Sequence, residues 1–164
     1  FNRRPFRKWY LLFKTKVVGK QLSNYLQTIH NAALLVEKEY GTYYSGKTHH
    51  NIDAYLKSNY EHTRQVFDKE ISATLTNHVR SMNDIQRNIY SYVPLAEKRA
   101  HMQYVTQRTS FRFHIDNRKL YRKFEKYNPM LFCMNDSQFA NDDDRKCAIA
   151  FLGKLFPDKS QFEK

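Results

Sequence analysis

His50 and Arg80 are the two side chains of this sequence with the most informative chemistry, and they lie thirty residues apart. A neutral imidazole can take up a proton near neutral pH, and a guanidinium can hold two phosphate oxygens through parallel hydrogen bonds. Phosphoryl transfer commonly uses both functions. The pair therefore makes an enzyme that acts on a phosphate group a hypothesis worth testing.

The residues before and after His50 have a helical pattern. Apolar residues recur at steps of three and four over about 17–40, and Gly41 follows them as a natural helix C-cap. A polar loop over 42–48 then leads to His50 and to a second helical stretch at about 53–60. We therefore expect His50 at a helix entrance, where backbone N–H groups favour anions.

Arg80 is also predicted next to a helix. A third amphipathic helix is expected over about 63–75, and Arg80 lies in the turn that follows it. The residues 81–84 have the pattern of an N-cap with an acidic first turn, and Pro94 should bend or end the helix that they open. This pattern places Arg80 just before a helix N-terminus.

The last third of the chain predicts two strands and one helix. Apolar residues alternate over 110–115, and the apolar run 130–134 is typical of a buried strand that ends in Asn135 and Asp136. A helix should follow, opened by Asn141 and three acids and stopped by Pro157. Its expected buried face consists of Cys147, Ile149, Leu152, Leu155 and Phe156.

Composition agrees with a helical protein. The chain has only four glycines and four prolines, so we predict an α/β fold that is mostly helical, with a few short strands and packed helices. No internal repeat or convincing domain linker is visible, and the chain begins at Phe1, which suggests a cut end. Cys133 and Cys147 lie in apolar surroundings and form no metal-type pair, which favours a reduced, cytoplasmic setting.

The net charge limits the classes of partner but does not distinguish among them. Lys and Arg number 28 against 16 Asp and Glu, which gives a net charge of +12. Such a surplus favours an anionic partner, namely nucleic acid, a phospholipid surface or a phosphate-bearing substrate. No apolar run reaches the roughly 20 residues of a membrane span, and no signal-peptide pattern is present.

Seven short motifs, weak singly, occur in a specific order and spacing. They are G-K-Q-L (19–22), E-K-E-Y-G (37–41), H-x6-K (50–57), F-D-K (67–69), V-R-S-x-x-D-I (79–85), F-C-M-N-D (132–136) and L-F-P-x-x-S-Q-F-E (155–163). Together they resemble the C-terminal half of the Stealth family. These hexose-1-phosphate transferases include bacterial capsule polymerases and the catalytic subunits of the animal enzyme that tags lysosomal glycoproteins with N-acetylglucosamine-1-phosphate. The similarity covers residues 15–164 and leaves the basic-aromatic segment 1–14 outside it.

The resemblance implies a set of site residues. His50 and Arg80 match the family's catalytic histidine and arginine, and Asn135 with Asp136 matches its Asn-Asp pair. Within the same motifs, Lys57 and Asp84 are further expected substrate-binding residues. The family usually has a proline two residues after the histidine, where this chain has Ile52.

The resemblance also implies a reaction and its partners. Hexose-1-phosphate, such as N-acetylhexosamine-1-phosphate, would move from a UDP-sugar to a sugar hydroxyl and build a phosphodiester-linked capsule or surface polysaccharide. His50 is the expected general base, with phosphate binding as its alternative role, and Arg80 would hold phosphate oxygens. Residues 1–164 would be one C-terminal portion of the catalytic domain, inactive without the N-terminal half. Mg²⁺ or Mn²⁺ is expected, with its main ligands outside this portion, and no metal ligand is assigned here.

Two alternatives stay open: the candidate residues are ordinary surface residues, or the chain has a different function. A histidine in a polar loop, an arginine beside a helix and an Asn-Asp-Ser turn also occur on ordinary surfaces. The rival is a basic module without catalysis that binds nucleic acid or an anionic membrane, supported by the aromatic and basic residues of 1–14. Because no nucleic-acid motif appears, we expect no nucleic-acid partner. The expected location is the cytoplasm, with the inner face of a bacterial cell membrane as a candidate contact.

Overall fold

The computed structural model describes residues 7–46, 48–49, 54–158 and 161. The chain divides into two compact units, Phe1–Val105 and Thr106–Lys164. The described residues are mostly helical with a short two-stranded parallel sheet, so the predicted fold class is confirmed. That residues 1–164 form one portion of a larger catalytic domain stays a prediction.

The first unit consists of helices that pack around one core. They are α1 (Arg7–Leu12), which continues as a π-helical segment (Phe13–Val17), α2 (Asn24–Tyr40), α3 (Lys57–Val66), α4 (Asp68–Leu75) and α5 (Ile89–Ala96). Helices α2 and α3 both pack on α5. The buried core residues are Ala32, Ala33, Val36, Phe67, Ile71, Ile89, Tyr92 and Val93.

Helix α2 begins later than the apolar periodicity predicts. Ser23 has an extended conformation and its hydroxyl accepts a hydrogen bond from the N–H of Leu26 at 3.4 Å, which makes it the N-cap. Upstream, Gly19 has a φ of 67°, a left-handed conformation that breaks a helix. The predicted end is confirmed, because Gly41 follows Tyr40 with a φ of 73° and its N–H bonds the carbonyl of Glu37.

The helix entrance expected beside Arg80 is wrong, and the helix expected from about residue 53 begins later, whereas His50 itself lies outside the described residues. Residues 54–56 are not helical and α3 begins only at Lys57, while the next predicted helix starts at Asp68 after a break at Phe67. Residues 81–88 form turns and irregular backbone, so α5 begins well after Arg80. The Asp84 side chain closes a turn on Ser81, but the next residues bond elsewhere in the unit, as when the Gln86 N–H donates to the carbonyl of Thr28.

The second unit has the order strand, helix, strand, helix. Its elements are β1 (Ser110–His114), α6 (Arg118–Tyr127), β2 (Leu131–Asn135) and α7 (Asp142–Leu155). The two strands are parallel, with Ser110 opposite Leu131 and His114 opposite Asn135. Both predicted strands are therefore confirmed, and their carboxyl ends lie side by side. The prediction that the second strand is buried is wrong, because Leu131 is exposed and the rest of β2 is only partly buried.

The sheet has two faces of different chemistry. The aromatic face packs against a cluster from α6 and α7, and its members are Phe111, Phe113, Phe132 and Met134. Since side chains alternate along a strand, the intervening residues form the opposite, polar face. This face carries Ser110, Arg112, His114, Cys133 and Asn135, with one apolar residue, Leu131, opposite Ser110.

Helix α7 buries a different face from the predicted one. Asp144 and Ala148 are its buried residues, and Phe151 packs on the aromatic cluster. Ile149 is 70% exposed and Leu155 and Phe156 are exposed as well, so that part of the prediction is wrong. The helix start is as predicted, because Asn141 and Asp144 cap each other's backbone in a reciprocal capping box.

Two predictions concern the cysteines and the membrane. Cys133 and Cys147 are free thiols and half-buried. Over the part of the chain that the structure describes, none of the helices combines the length and the apolarity needed to cross a membrane.

Candidate functional site

His50 lies outside the described residues, as does the segment 51–53 that follows it. Its predicted role as general base therefore stays a prediction. The first described residue after it is Ala54, which lines a cleft of the first unit with a volume of about 290 Å³. The cleft lies between α3, α5 and the segment that follows α5.

Arg80 is exposed and held at the start of α2. Its guanidinium carbon lies 5.3 Å from the centre of the Tyr25 ring, a cation–π arrangement that orients a planar guanidinium. Its backbone carbonyl accepts a hydrogen bond from the Asn24 side-chain amide at 3.0 Å. Within the described residues it forms no salt bridge, whereas Arg99, Arg118 and Arg145 each pair with a carboxylate. Arg80 thus has N–H donors available for an anion.

Asp84 anchors the turn that follows Arg80. It is only 5% exposed, and its carboxylate accepts hydrogen bonds from the N–H and the hydroxyl of Ser81, both at 2.8 Å, and from the Asn77 amide at 2.6 Å. The Ser81 N–H bond is the main cause of its lowered pKa, which burial opposes and the other bonds and Arg80 reinforce. These contacts make Asp84 a structural support of the Arg80 turn. Its predicted role in substrate binding stays untested.

The Arg80 turn is also fixed to α2 by an amide. The Asn31 side chain donates to the carbonyls of Met82 and Asp84 at 2.8 and 2.9 Å. Asn24 at the start of the same helix holds the carbonyl of Arg80. A rigid helix therefore determines the position of the predicted catalytic arginine, which is the arrangement that electrostatic stabilisation requires.

Lys57 is the first residue of α3 and lies on its outer surface. Its side chain is 89% exposed and forms one ion pair with Glu61, a full turn further on, at 3.7 Å. Such a pair between exposed ends contributes little to stability. The ammonium group is therefore accessible, and its predicted contact with substrate stays a prediction.

The cleft and a neighbouring carboxylate network were not identified from the sequence. The cleft is lined by Ala54, Tyr55, Leu56, Asn59, Tyr90, Ser91, Pro94, Leu95, Arg99, Ala100 and His101. Tyr90 stacks on Tyr60 with ring centres 4.3 Å apart, and desolvation, followed by the hydrogen bond with Tyr60, raises the pKa of Tyr90 to about 12. No local sequence motif predicts this cleft, because its lining residues come from separate segments of the chain.

Glu97 forms the network beside the cleft. Its carboxylate accepts a hydrogen bond from the Tyr40 hydroxyl at 2.8 Å, contacts His62 Nε2 at 2.7 Å and pairs with Arg99. Burial raises the pKa of Glu97, but the bonds with His62, Arg99 and Tyr40 outweigh burial and lower it. The same network raises the pKa of Tyr40 to about 12, mainly through desolvation and then through the bond with Glu97.

Asn135 and Asp136 lie where β2 ends, at the carboxyl edge of the sheet. The thiol of Cys133 donates to Asn135 Oδ1 at 3.1 Å. Asp136 is exposed and accepts hydrogen bonds from Arg145 Nε at 3.1 Å and from the Ser137 N–H at 2.7 Å. Arg145 is the main cause of the lowered pKa of Asp136, and Ser137 adds to it. The pair is thus an accessible amide and a carboxylate that a guanidinium already neutralises.

The described residues do not provide an evident site for the expected divalent ion. They contain no group of three or more His, Cys, Asp or Glu side chains arranged to hold a metal. The predicted Mg²⁺ or Mn²⁺ stays a prediction, and the chemistry proposed below uses only the side chains of this chain.

Comparisons of this chain with models of protein families, with curated proteins and with solved structures found no match. The similarity to the Stealth family accordingly rests on the ordered motifs of the sequence.

Proposed function

We propose that this chain carries part of the active site of a sugar-phosphate transferase, which moves hexose-1-phosphate from a UDP-sugar to a sugar hydroxyl. The main support from the structure is Arg80, a guanidinium oriented by Tyr25 and free of any salt bridge among the described residues. Such a group can hold two phosphate oxygens at once. The ordered motifs of the sequence supply the substrate class.

In the proposed reaction the acceptor hydroxyl attacks the phosphorus that bears the hexose. The bond from this phosphorus to the bridging oxygen breaks, and UMP leaves with the bonding electron pair. The hydroxyl proton passes to His50, which acts as general base because an imidazole near pKa 6.5 can accept it at neutral pH. Arg80 stabilises the charge on the phosphate oxygens during the transfer.

Asn135 and Asp136 would contribute at the sugar. An amide donates and accepts hydrogen bonds, so Asn135 suits sugar hydroxyls. The Asp136 carboxylate could accept a hydrogen bond from a sugar hydroxyl once a ligand displaces Arg145, because the side chains of Asp136 and Arg145 are both exposed. Building a phosphodiester-linked capsule or surface polysaccharide is the proposed role of the whole enzyme.

The test is transfer activity in the complete enzyme. His50→Ala and Arg80→Ala should each lower kcat/KM for transfer from a UDP-sugar by about a hundredfold or more. Arg80→Lys should keep little activity, because an ammonium cannot reproduce the guanidinium fork. The matched controls are His78→Ala and Arg122→Ala, two exposed residues without a described contact, and circular dichroism checks folding.

Near wild-type rates for His50→Ala and Arg80→Ala in folded protein would contradict the proposal. A loss of activity in the controls as large as in the site variants would contradict it as well, because it would point to overall charge.

A second candidate function, binding to an anionic membrane, is favoured by an exposed apolar stripe. Trp9, Phe13 and Val17 recur every four residues along α1 and the π-helical segment, and Trp9 is 73% exposed. Lys14 lies 5.9 Å from the ring centre of the exposed Tyr10. Aromatic rings flanked by lysines are typical of helices at a lipid interface.

Two residues of the same segment do not take part in the exposed stripe. Leu11 is buried, and Lys8 forms an ion pair with Glu37. Co-sedimentation with vesicles tests what remains. Binding to phosphatidylserine vesicles that is lost in Trp9→Ala/Phe13→Ala supports the membrane function, whereas equal binding by the double variant, or preference for nucleic acid over vesicles, contradicts it.

A further inference from the structure

Among the described residues of its own unit, no helix covers the polar face of the sheet. Parallel strands in α/β proteins are normally covered on both faces, yet α6 and α7 pack on the aromatic face. The side chains of Arg112 and His114 are exposed on the opposite side. An apolar cover would bury an unpaired guanidinium at a high cost in free energy. The group that covers this face must therefore be polar and must offer acceptors to Arg112.

The sheet register places the polar side chains in two adjacent pairs. Arg112 lies opposite Cys133, and His114 lies opposite Asn135. Neighbouring strands are about 4.8 Å apart, and alternate residues on one strand are about 6.6 Å apart. The guanidinium, the imidazole and the amide consequently extend from neighbouring points of one surface, at the carboxyl ends of the strands.

Each of these groups has hydrogen-bond donors to spare. The side chains of Arg112 and His114 have no hydrogen bond or ion pair to any residue that the structure describes. The Cys133 thiol donates to Asn135 Oδ1, which occupies the oxygen and leaves the amide N–H groups of Asn135 for another acceptor. Three kinds of N–H donor, one of them permanently cationic, suit an anion with several oxygens.

The acid that follows β2 does not cancel the positive charge of this face. Asp136 follows Asn135 directly, but its carboxylate is bound by Arg145. Arg112 therefore keeps an unneutralised charge beside the free donors of His114 and Asn135.

We propose that the polar face of the sheet binds a phosphate group, with Arg112, His114 and the Asn135 amide donating to its oxygens. Under the proposed transferase function, this phosphate belongs to a hexose-1-phosphate unit, either as the free monoester or as a diester in the polysaccharide. That identification rests on the proposed function, whereas phosphate binding by this face does not.

Binding is measured on the full chain at fixed ionic strength by isothermal titration calorimetry, with backbone amide shifts to locate the site. The probes are inorganic phosphate, N-acetylglucosamine 1-phosphate, its methyl phosphodiester and N-acetylglucosamine without phosphate. The three phosphates should bind and shift the amides of β1 and the end of β2, while the neutral sugar should not. Tighter binding of the monoester than of the diester assigns the face to the free monoester, and the reverse order assigns it to the polymer.

The variants have matched controls. Arg112→Gln should weaken phosphate binding about tenfold or more, and His114→Gln about threefold. Arg122→Gln removes an exposed arginine from α6, the helix on the aromatic side, and should leave the affinity unchanged. His50→Ala and Arg80→Ala should also retain phosphate binding at the polar face, even where transfer activity is lost. This separates a failure of the proposed reaction from a failure of the phosphate site.

Three results would overturn the phosphate site. The first is wild-type protein that binds none of the phosphates. The second is equal weakening by Arg112→Gln and Arg122→Gln, which indicates non-specific attraction by net charge. The third is amide shifts confined to residues outside β1 and β2.

Discussion

The Ser81–Asp84 turn of the first unit and the Asn135–Asp136 tip of the second each present an acid predicted to bind substrate. Both acids have a lowered pKa, but the causes differ. Asp84 is buried and receives its hydrogen bonds mainly from neutral groups of its own turn, whereas Asp136 is exposed and pairs with Arg145. A lowered carboxyl pKa therefore reports a partner, and only exposure shows whether a ligand could replace that partner.

The largest expected difference between the two acids is in stability. Asp84→Ala leaves the Ser81 N–H and the Asn77 amide without their acceptor, and we expect the free energy of unfolding to fall by about 2 kcal/mol. Asp136→Ala removes only exposed contacts, so its urea midpoint should equal that of the wild type. Urea denaturation followed by circular dichroism measures both. Equal midpoints for the two variants would show that the Asp84 turn is not structural.

The second expected difference is in how the stability contributed by Asp84 depends on pH. Because folding lowers the pKa of Asp84, its stabilisation is complete above the unfolded value of about 3.9 and is lost as the pH falls through the folded pKa. Asp84→Asn cannot ionise, so the gap in unfolding free energy between it and the wild type should shrink below about pH 4. Urea titrations at several pH values between neutral and acid follow that gap. A gap that stays constant would mean that the ionised form is not favoured in the folded state.

The smallest expected effect is a change in the pKa of Asp136. Arg145→Gln removes the main cause of its lowered pKa, so this pKa should rise toward the ordinary value. NMR titration of the side-chain carboxyl carbons measures the change. The control is Arg118→Gln, which removes the partner of Asp144 on the same unit and should leave the pKa of Asp136 where it was. A shift at Asp136 in the control alone would contradict the assignment.

Signals within a few residues correctly predicted the end of α2 and the start of α7. Gly41 and the Asn141–Asp144 capping box act through backbone groups only a few residues away, so the sequence contains all of the information needed. The same logic failed at Ser81 and Asp84. The Asp84 carboxylate accepts the Ser81 N–H, which is one half of a capping box, but the Ser81 hydroxyl donates to that carboxylate. The helix does not follow, because the next residues bond elsewhere in the unit. Gln86, for example, donates its N–H to the carbonyl of Thr28.

Features that depend on distant segments could not be predicted. The apolar residues of α7 fit more than one helical face, and only packing on the aromatic cluster selects Ala148 over Ile149. The proximity of His114 to Asn135 depends on strand register, which no local motif encodes. For the same reason the polar face escaped the sequence analysis, although the strand period that creates it was visible.

Glu97 has a consequence for the motions of the first unit. Its carboxylate joins α2 through Tyr40 and α3 through His62 to the segment after α5, and these contacts span 57 and 35 residues of chain. Helix α3 cannot swing away from its neighbours unless the His62 contact breaks. Hydrogen exchange in α3 should therefore report the His62 contact together with the packing of α3 on α5, and His62→Ala should make exchange in α3 faster.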